Sequence, residues 1–170
     1  MVEPLPDAVI HRLDQILPPY WSRGNPIDLV APPRVEVISD AVGILMEHTS
    51  IDAALVMGLG YMSLRAHGWR MSDVIDSSAS EEPARIMISE EMKLFRLLVD
   101  LIEKHKKPIV PVVDIIAFDI VMNENPLAIL DARGIMAYPS PAPAIRALAK
   151  VMEYSGRIDR TAPSAIPVIK

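Results

Sequence analysis

No cysteine occurs among the 170 residues, which excludes disulfide frameworks, thiolate metal sites and cysteine nucleophiles and suits a cytoplasmic protein. No apolar run approaches the ~20 residues of a membrane span, and no basic n-region followed by an apolar h-region opens the chain. Neither a membrane span nor a secretory leader is therefore expected. Basic residues are outnumbered, 17 against 22 acidic, for a net charge of −5, and the sole basic run is Lys104 to Lys107. A binder of phosphate backbones needs a clustered Lys/Arg face, so nucleic acid is not an expected partner. Also missing are GxGxxG, a P-loop ending in GK[ST], and a serine in GxSxG. The four histidines form no HxxxH-like pair, so zinc is not expected.

The residues that are present describe a globular domain. The chain is 51% apolar and 23% charged, and at this length one domain would bury about 70% of its unfolded surface. Proline is in surplus, with 16 residues where average usage of about 5% would give about half as many, and most must fall at element boundaries. Val9, Leu13, Ile16 and Leu17 recur at helical spacing after Pro6, and Pro18-Pro19 stop that helix. Val35, Ile38, Val42, Leu45 and Met46 mark a second helix over Arg34 to Glu47. Ala53 to Leu59 is a short apolar run closed by Gly58 and Gly60, and reads as a buried strand. Ile88, Met92, Phe95, Val99 and Ile102 predict the longest helix, from Pro83 to Lys104. Ile109 to Ile116 and Ile135 to Tyr138 read as strands. Between them Asn125-Pro126 cap a short helix that ends at Gly134. Pro141 and Pro143 precede a final helix over Ile145, Leu148, Ala149 and Met152, and Ser155 to Lys170 reads as a tail or linker. Placing a further strand at Asn25 to Val30 gives strands alternating with helices. The fold class expected is α/β, a three-layer domain with a mainly parallel sheet of about four strands and helices on both faces.

Ligands of open parallel sheets sit beyond the carboxyl ends of the strands, which singles out three loops. Ala31 to Arg34 (APPR) precedes a helix N-terminus, but its two prolines remove donors, so a rigid helix start is the stronger reading. Gly58 to Ser63 (GLGYMS) opens an irregular stretch to Glu82, long enough for a lid or binding loop. There Tyr61, Met62, Trp69 and Met71 supply an apolar side and Arg65, His67 and Arg70 a cationic one that could receive an organic acid. A hairpin or short helix with its aromatics on the sheet fits equally well. Asp114 to Asn125 holds Asp114, Asp119 and Glu124, carboxylates suited to Mg²⁺, while Asn125 is more simply a cap. His11 and His105 fall on exposed faces or ends of helices, His67 in the long loop, and His48 beyond a helix end. The methionines at helical spacing read as core filler.

Segments in order along the chain carry a resemblance. Leu17 to Leu29 (LPPYWSRGNPIDL), Ile51 to Gly60 (IDAALVMGLG), Lys107 to Val113 (KPIVPVV), Arg133 to Tyr138 (RGIMAY) and Pro143 to Tyr154 (PAIRALAKVMEY) together resemble the C-terminal CoA-ligase domain of NDP-forming acyl-CoA synthetases. That group includes ADP-forming acetate–CoA ligases and is related to succinyl-CoA synthetase. The likeness covers about residues 5–154, with an insertion or long loop over 61–83 and a tail at 155–170.

The resemblance implies a flavodoxin-like domain of an enzyme that makes acyl-CoA from a carboxylic acid, CoA and ATP through an acyl phosphate and a phosphohistidine. It implies no turnover by this chain alone, because the SHTGS-like histidine domain and the ATP-grasp domain are separate partners. No tightly bound cofactor is implied, CoA and ATP/Mg serving the complete enzyme. It places Gly58, Gly60, Tyr61, Met62 and Ser63 toward acyl substrate and phosphate, and the helix start at Arg34 and Val35 toward phosphate. Relatives of the succinyl type have glycines where this chain has Ala31, Pro32 and Pro33. His48-Thr49-Ser50 matches SHTGS by letters only and occupies a helix-to-strand turn. The family's first strand and helix have no counterpart before Leu5, which predicts self-association, a replaced strand or a reordered sheet. The alternative function is a binding or assembly module derived from such a domain. An independent enzyme using Mg²⁺ at Asp114 to Asp119 is the least favoured reading.

Overall fold

A computed structural model describes residues 3–29, 34–113 and 125–161. In chain order the elements are α1 (Asp7–Leu13), α2 (Val35–Glu47), β1 (Ala54–Val56), α3 (Tyr61–Arg70), α4 (Ser77–His105), β2 (Ile109–Pro111), α5 (Leu127–Asp131) and α6 (Pro141–Thr161). The class is mixed α/β, and among the described residues the sheet is parallel and two-stranded, where about four strands were expected.

The 29-residue α4 is the organising element. Its apolar stripe buries Ile88, Leu94, Phe95, Leu98 and Val99, with Phe95 and Leu98 fully enclosed. All of these but Ile88 pack with Val35, Val42 and Met46 of α2, Ala54 and Val56 of β1, Ile109 of β2 and Leu130 of α5 in the main core. The helix starts six residues earlier than Pro83, the expected opening. Asp76 accepts a 2.8 Å hydrogen bond from the Ser78 N–H, and this cap begins the helix upstream. Pro83 then lies inside α4, where a missing N–H and ring clash cost about 3 kcal/mol. Burial of Ala84 and Ile88 against Ala66 of α3 offsets that cost.

β1 and β2 run parallel, with Ala54 opposite Ile109 and Val56 opposite Pro111. Val112 bridges Tyr138 in parallel on the other side of β2. The Val113 N–H donates to the Tyr138 carbonyl at 2.8 Å, and the Tyr138 N–H to the Pro111 carbonyl at 3.0 Å. Along a parallel strand donors alternate sides, so the N–H that Pro111 lacks would face this neighbour. The expected third strand, Ile135 to Tyr138, is accordingly reduced to a single bridge, whereas the ladder to β1 is untouched. The expected strand at Asn25 to Val30 is not formed over Asn25–Leu29. Asn25 donates its side-chain amide to the Glu3 carbonyl at 3.0 Å, and Ile27 and Leu29 pack into a second core of Leu5, Val9, Leu13, Leu17 and Trp21 against Ala41 and Ile44 of α2. Side-chain burial beside α1 thus takes precedence over strand pairing. Val30 and the Asp114 to Ile116 end of the second expected strand lie outside the described residues.

Two further expectations are corrected. Tyr61 to Glu82 is no long loop: it comprises α3, a tight turn and the first turns of α4, because a carboxylate from α4 caps α3, as detailed below. The tail expected from Ser155 is helical as far as Thr161.

Candidate functional site

The carboxyl end of β1 leads into a turn that needs glycine twice. Gly58 has φ +78° and Gly60 φ +92°, conformations that cost other residues about 1–2 kcal/mol. A Cβ on Gly58 would meet nothing within 4 Å, so backbone conformation alone selects that glycine. The turn aims the N-terminus of α3 back toward the core, with Gly60 as its cap residue and no capping side chain of its own.

Glu91, on α4 and only 2% exposed, supplies the cap. Its Oε1 accepts from the Gly60 N–H at 2.8 Å and the Met62 N–H at 3.3 Å, and its Oε2 accepts from the Ser63 N–H at 2.8 Å. Three donors at the positive end of a helix, held by one buried carboxylate, constitute an anion seat filled from within the chain. The outer side of the turn differs. The N–H groups of Gly58 and Tyr61 donate to no protein acceptor among the described residues, and both residues are exposed. The Ser63 hydroxyl is buried and has no hydrogen-bond partner among the described residues.

The second expected element, the start of α2, lies close by. Arg34 is its exposed cap residue, while Val35 is 1% exposed and belongs to the main core. Met62 packs against the cluster that contains Val35 and Leu59. Lys93 of α4 pairs with Glu36 in the first turn of α2. The hydrogen bond from Lys93 holds the Glu36 carboxyl below its ordinary range, and the same bond raises Lys93. One stretch of α4, Glu91 to Lys93, therefore ties down the first turns of α2 and α3. Gly58, Gly60, Tyr61, Met62 and Ser63 come together at one turn. Val35 joins them through the core and Arg34 stands at the surface. Ala31, Pro32 and Pro33 lie outside the described residues.

The cationic side expected of the long loop is used internally. Arg65 stacks between the Tyr61 and Trp69 rings, at 5.6 and 5.3 Å from their centroids. Arg70 holds Glu81 through two bonds of 3.0 and 2.7 Å. The aromatics thus line an arginine on a helix and do not rest on the sheet. Met71 is 70% exposed beyond the helix end, and His67 is half-buried on α3. Asp114, Asp119 and Glu124 lie outside the described residues. Asn125 does act as a cap, accepting from the Leu127 N–H at 2.9 Å. Among the described residues no group of three or more His, Asp or Glu is placed to hold a metal ion, and no helix is long and apolar enough to cross a membrane.

His48 closes the turn after α2, with its Nδ1 2.9 Å from the Ser50 hydroxyl. Lys107 locks the same turn by donating to the His48 and Ile51 carbonyls, each at 2.8 Å. Sequence reasoning missed both Lys107 and Glu91. Glu91 left a signal: it falls between Ile88 and Phe95 at i+3 on the buried stripe of α4, where an apolar residue would be ordinary. No protein-family model, curated protein or solved structure matches the chain.

Proposed function

We propose that the chain serves as the CoA-ligase-type, flavodoxin-like domain or subunit of an NDP-forming acyl-CoA synthetase, working with separate ATP-grasp and phosphohistidine domains. The observation that carries this reading is the Gly58–Gly60 turn. It stands at the carboxyl end of a parallel strand and opens a helix whose first N–H groups already hold a carboxylate. The spatial order of β1, β2 and the Tyr138 segment fits the last three positions of a 2-1-3-4-5 sheet. The resemblance from Leu17 to Tyr154 supplies the family.

In this reading the turn from Gly58 to Ser63 stabilises negative charge on an acyl or phosphoryl group by backbone donors, and the start of α2 at Arg34 and Val35 faces the phosphate. The complete enzyme uses CoA, ATP and Mg²⁺, and the chain alone has no ligase turnover. Calorimetric titration of CoA, acyl phosphates and short-chain acids tests the proposal. Binding that is lost in Gly60→Trp supports it. Acyl-CoA formation by the purified chain alone refutes the requirement for partners.

A second reading is favoured by Glu91. Its carboxylate occupies the Gly60, Met62 and Ser63 donors, as in a binding or assembly module that has given up phosphate and keeps the turn for structure. No heat with any of the three ligand classes selects this reading over the first.

A further inference from the structure

We propose that Glu91 is a displaceable plug: the start of α3 is a seat for a small monocarboxylic acid, and Glu91 fills that seat until the acid exchanges with it. The inference rests on the reading of this turn as the acyl site and adds what closes it. Glu91 takes the N–H groups of Gly60, Met62 and Ser63, the bond from Met62 being long at 3.3 Å. The Ser63 hydroxyl belongs to a residue only 8% exposed and has no partner among the described residues. Covalent geometry keeps that oxygen within about 4 Å of its own nitrogen, and the same nitrogen holds Glu91 Oε2 at 2.8 Å. The orphaned hydroxyl therefore sits beside the carboxylate without bonding to it, a cost that the closed arrangement carries.

Nor is the charge compensated. Lys93, the nearest base along α4, pairs with Glu36 instead, and no cation pairs with Glu91 among the described residues. A buried carboxylate is thus held by backbone donors alone. An untethered acid can keep those N–H groups and turn an oxygen to the Ser63 hydroxyl, gaining a donor that Glu91 leaves unused. Glu91, swung outward, regains water. Met62 and Met87 flank its way out, Met87 lying four residues earlier on the same face of α4. Both are half-buried, and as unbranched side chains they yield without a backbone shift. The size of the ligand follows from the group it replaces: Cγ, Cδ, Oε1 and Oε2 of Glu91 have the skeleton of acetate.

The test is titration of acetate at neutral pH into the ¹⁵N-labelled full chain, Glu91→Ala, Ser63→Ala and Glu91→Ala/Ser63→Ala, against sodium chloride of equal ionic strength. In Glu91→Ala, acetate should shift the Gly60, Met62 and Ser63 amides saturably and raise Tm. In the parent the same amides should respond with a half-saturation about 10–100-fold higher, as for an open form populated at about 1–10%. Removing the Ser63 hydroxyl should weaken acetate by roughly fivefold or more in both backgrounds. It should not lower the Tm of the unliganded chain, because that hydroxyl has no bond to lose. No response of these amides in the parent, up to about a hundredfold the Glu91→Ala half-saturation, makes Glu91 a permanent cap and overturns the proposal. An affinity unchanged by Ser63→Ala overturns it as well. If Glu91→Ala does not fold, the parent and Ser63→Ala decide: acetate shifts lost with the hydroxyl support the plug, and shifts that persist refute it. Acetyl phosphate shifts at Gly58 and Tyr61 without an acetate response at the inward amides remove the plug and leave the acyl-site reading; silence with both ligands removes both.

Discussion

Replacing Glu91 tests how much of the α3 turn depends on one carboxylate. The side chain is 2% exposed and accepts two bonds of 2.8 Å and one of 3.3 Å. Hydrogen bonds to a charged group contribute about 1.5–3 kcal/mol each, and a buried donor left unmade costs about 1–3 kcal/mol. Glu91→Ala strands the Gly60 and Ser63 donors, both in buried residues, and should destabilise by about 3–5 kcal/mol. Glu91→Gln preserves shape but turns an amide NH₂ toward one of the two donors, so one short bond becomes a repulsive contact. Its expected cost is about 2–4 kcal/mol. In a chain of this size that corresponds to a fall in Tm of roughly 4–16 °C. The α3 helix has ten residues with Gly68 in its interior, too short to persist without its cap and packing. Hydrogen exchange at Met62 and Ser63 should therefore accelerate more than at Leu98. Urea unfolding with an unchanged m-value gives the free energy. A Glu91→Gln variant within 1 kcal/mol of the parent, with protected Met62 and Ser63 amides, would refute the capping argument.

Three further outcomes follow from the same packing and electrostatics. Phe95→Ala removes a fully enclosed ring from the main core and should cost about 3–5 kcal/mol in denaturant unfolding; a loss below about 1 kcal/mol would mean the core does not close around it. Lys107→Met deletes both bonds that lock the turn between α2 and β1 and should destabilise by about 1–3 kcal/mol, with faster exchange at Ala54. Asp14 is held below its ordinary value of 3.8 first by the indole N–H of Trp21, 2.8 Å away, and then by Arg23. Because the folded pKa lies below the unfolded one, this contribution is complete above the unfolded value and disappears as pH falls through the folded one. Trp21 emission in a Trp69→Phe background should hold from neutral pH to about 4 and change only below it, and Asp14→Asn should abolish that step; a transition centred near pH 6 would contradict the assignment.

Much of the helical frame was legible because its apolar residues recur at 3.6 spacing and its ends carry proline, glycine or asparagine. α1, α2 and the core of α4 are of this kind. The start of α4 was hidden because Pro83 is the conspicuous boundary signal, whereas Asp76 caps the helix with a carboxylate seven residues earlier. α3 could not be read as a definite helix because its capping group is 31 residues away from Gly60; no local pattern encodes a tertiary cap. The strand expected at Asn25 to Val30 failed for the converse reason. Ile27 and Leu29 are apolar, as a strand requires, but α1 and α2 offer them a core to enter without a ladder. The turn from Gly58 to Ser63 was legible from its two glycines and its place after a strand, and Glu91, the group that fills its donors, was not.

The most direct measurement of the proposed function is the amide spectrum of the ¹⁵N-labelled chain during titration with acetyl phosphate. The inward donors of the turn are held by Glu91, while the Gly58 and Tyr61 N–H groups have no protein acceptor among the described residues. Saturable shifts concentrated at Gly58 and Tyr61, and abolished in Gly60→Trp, are expected. Shifts that are absent, or scattered over surface lysines without saturation, would contradict it.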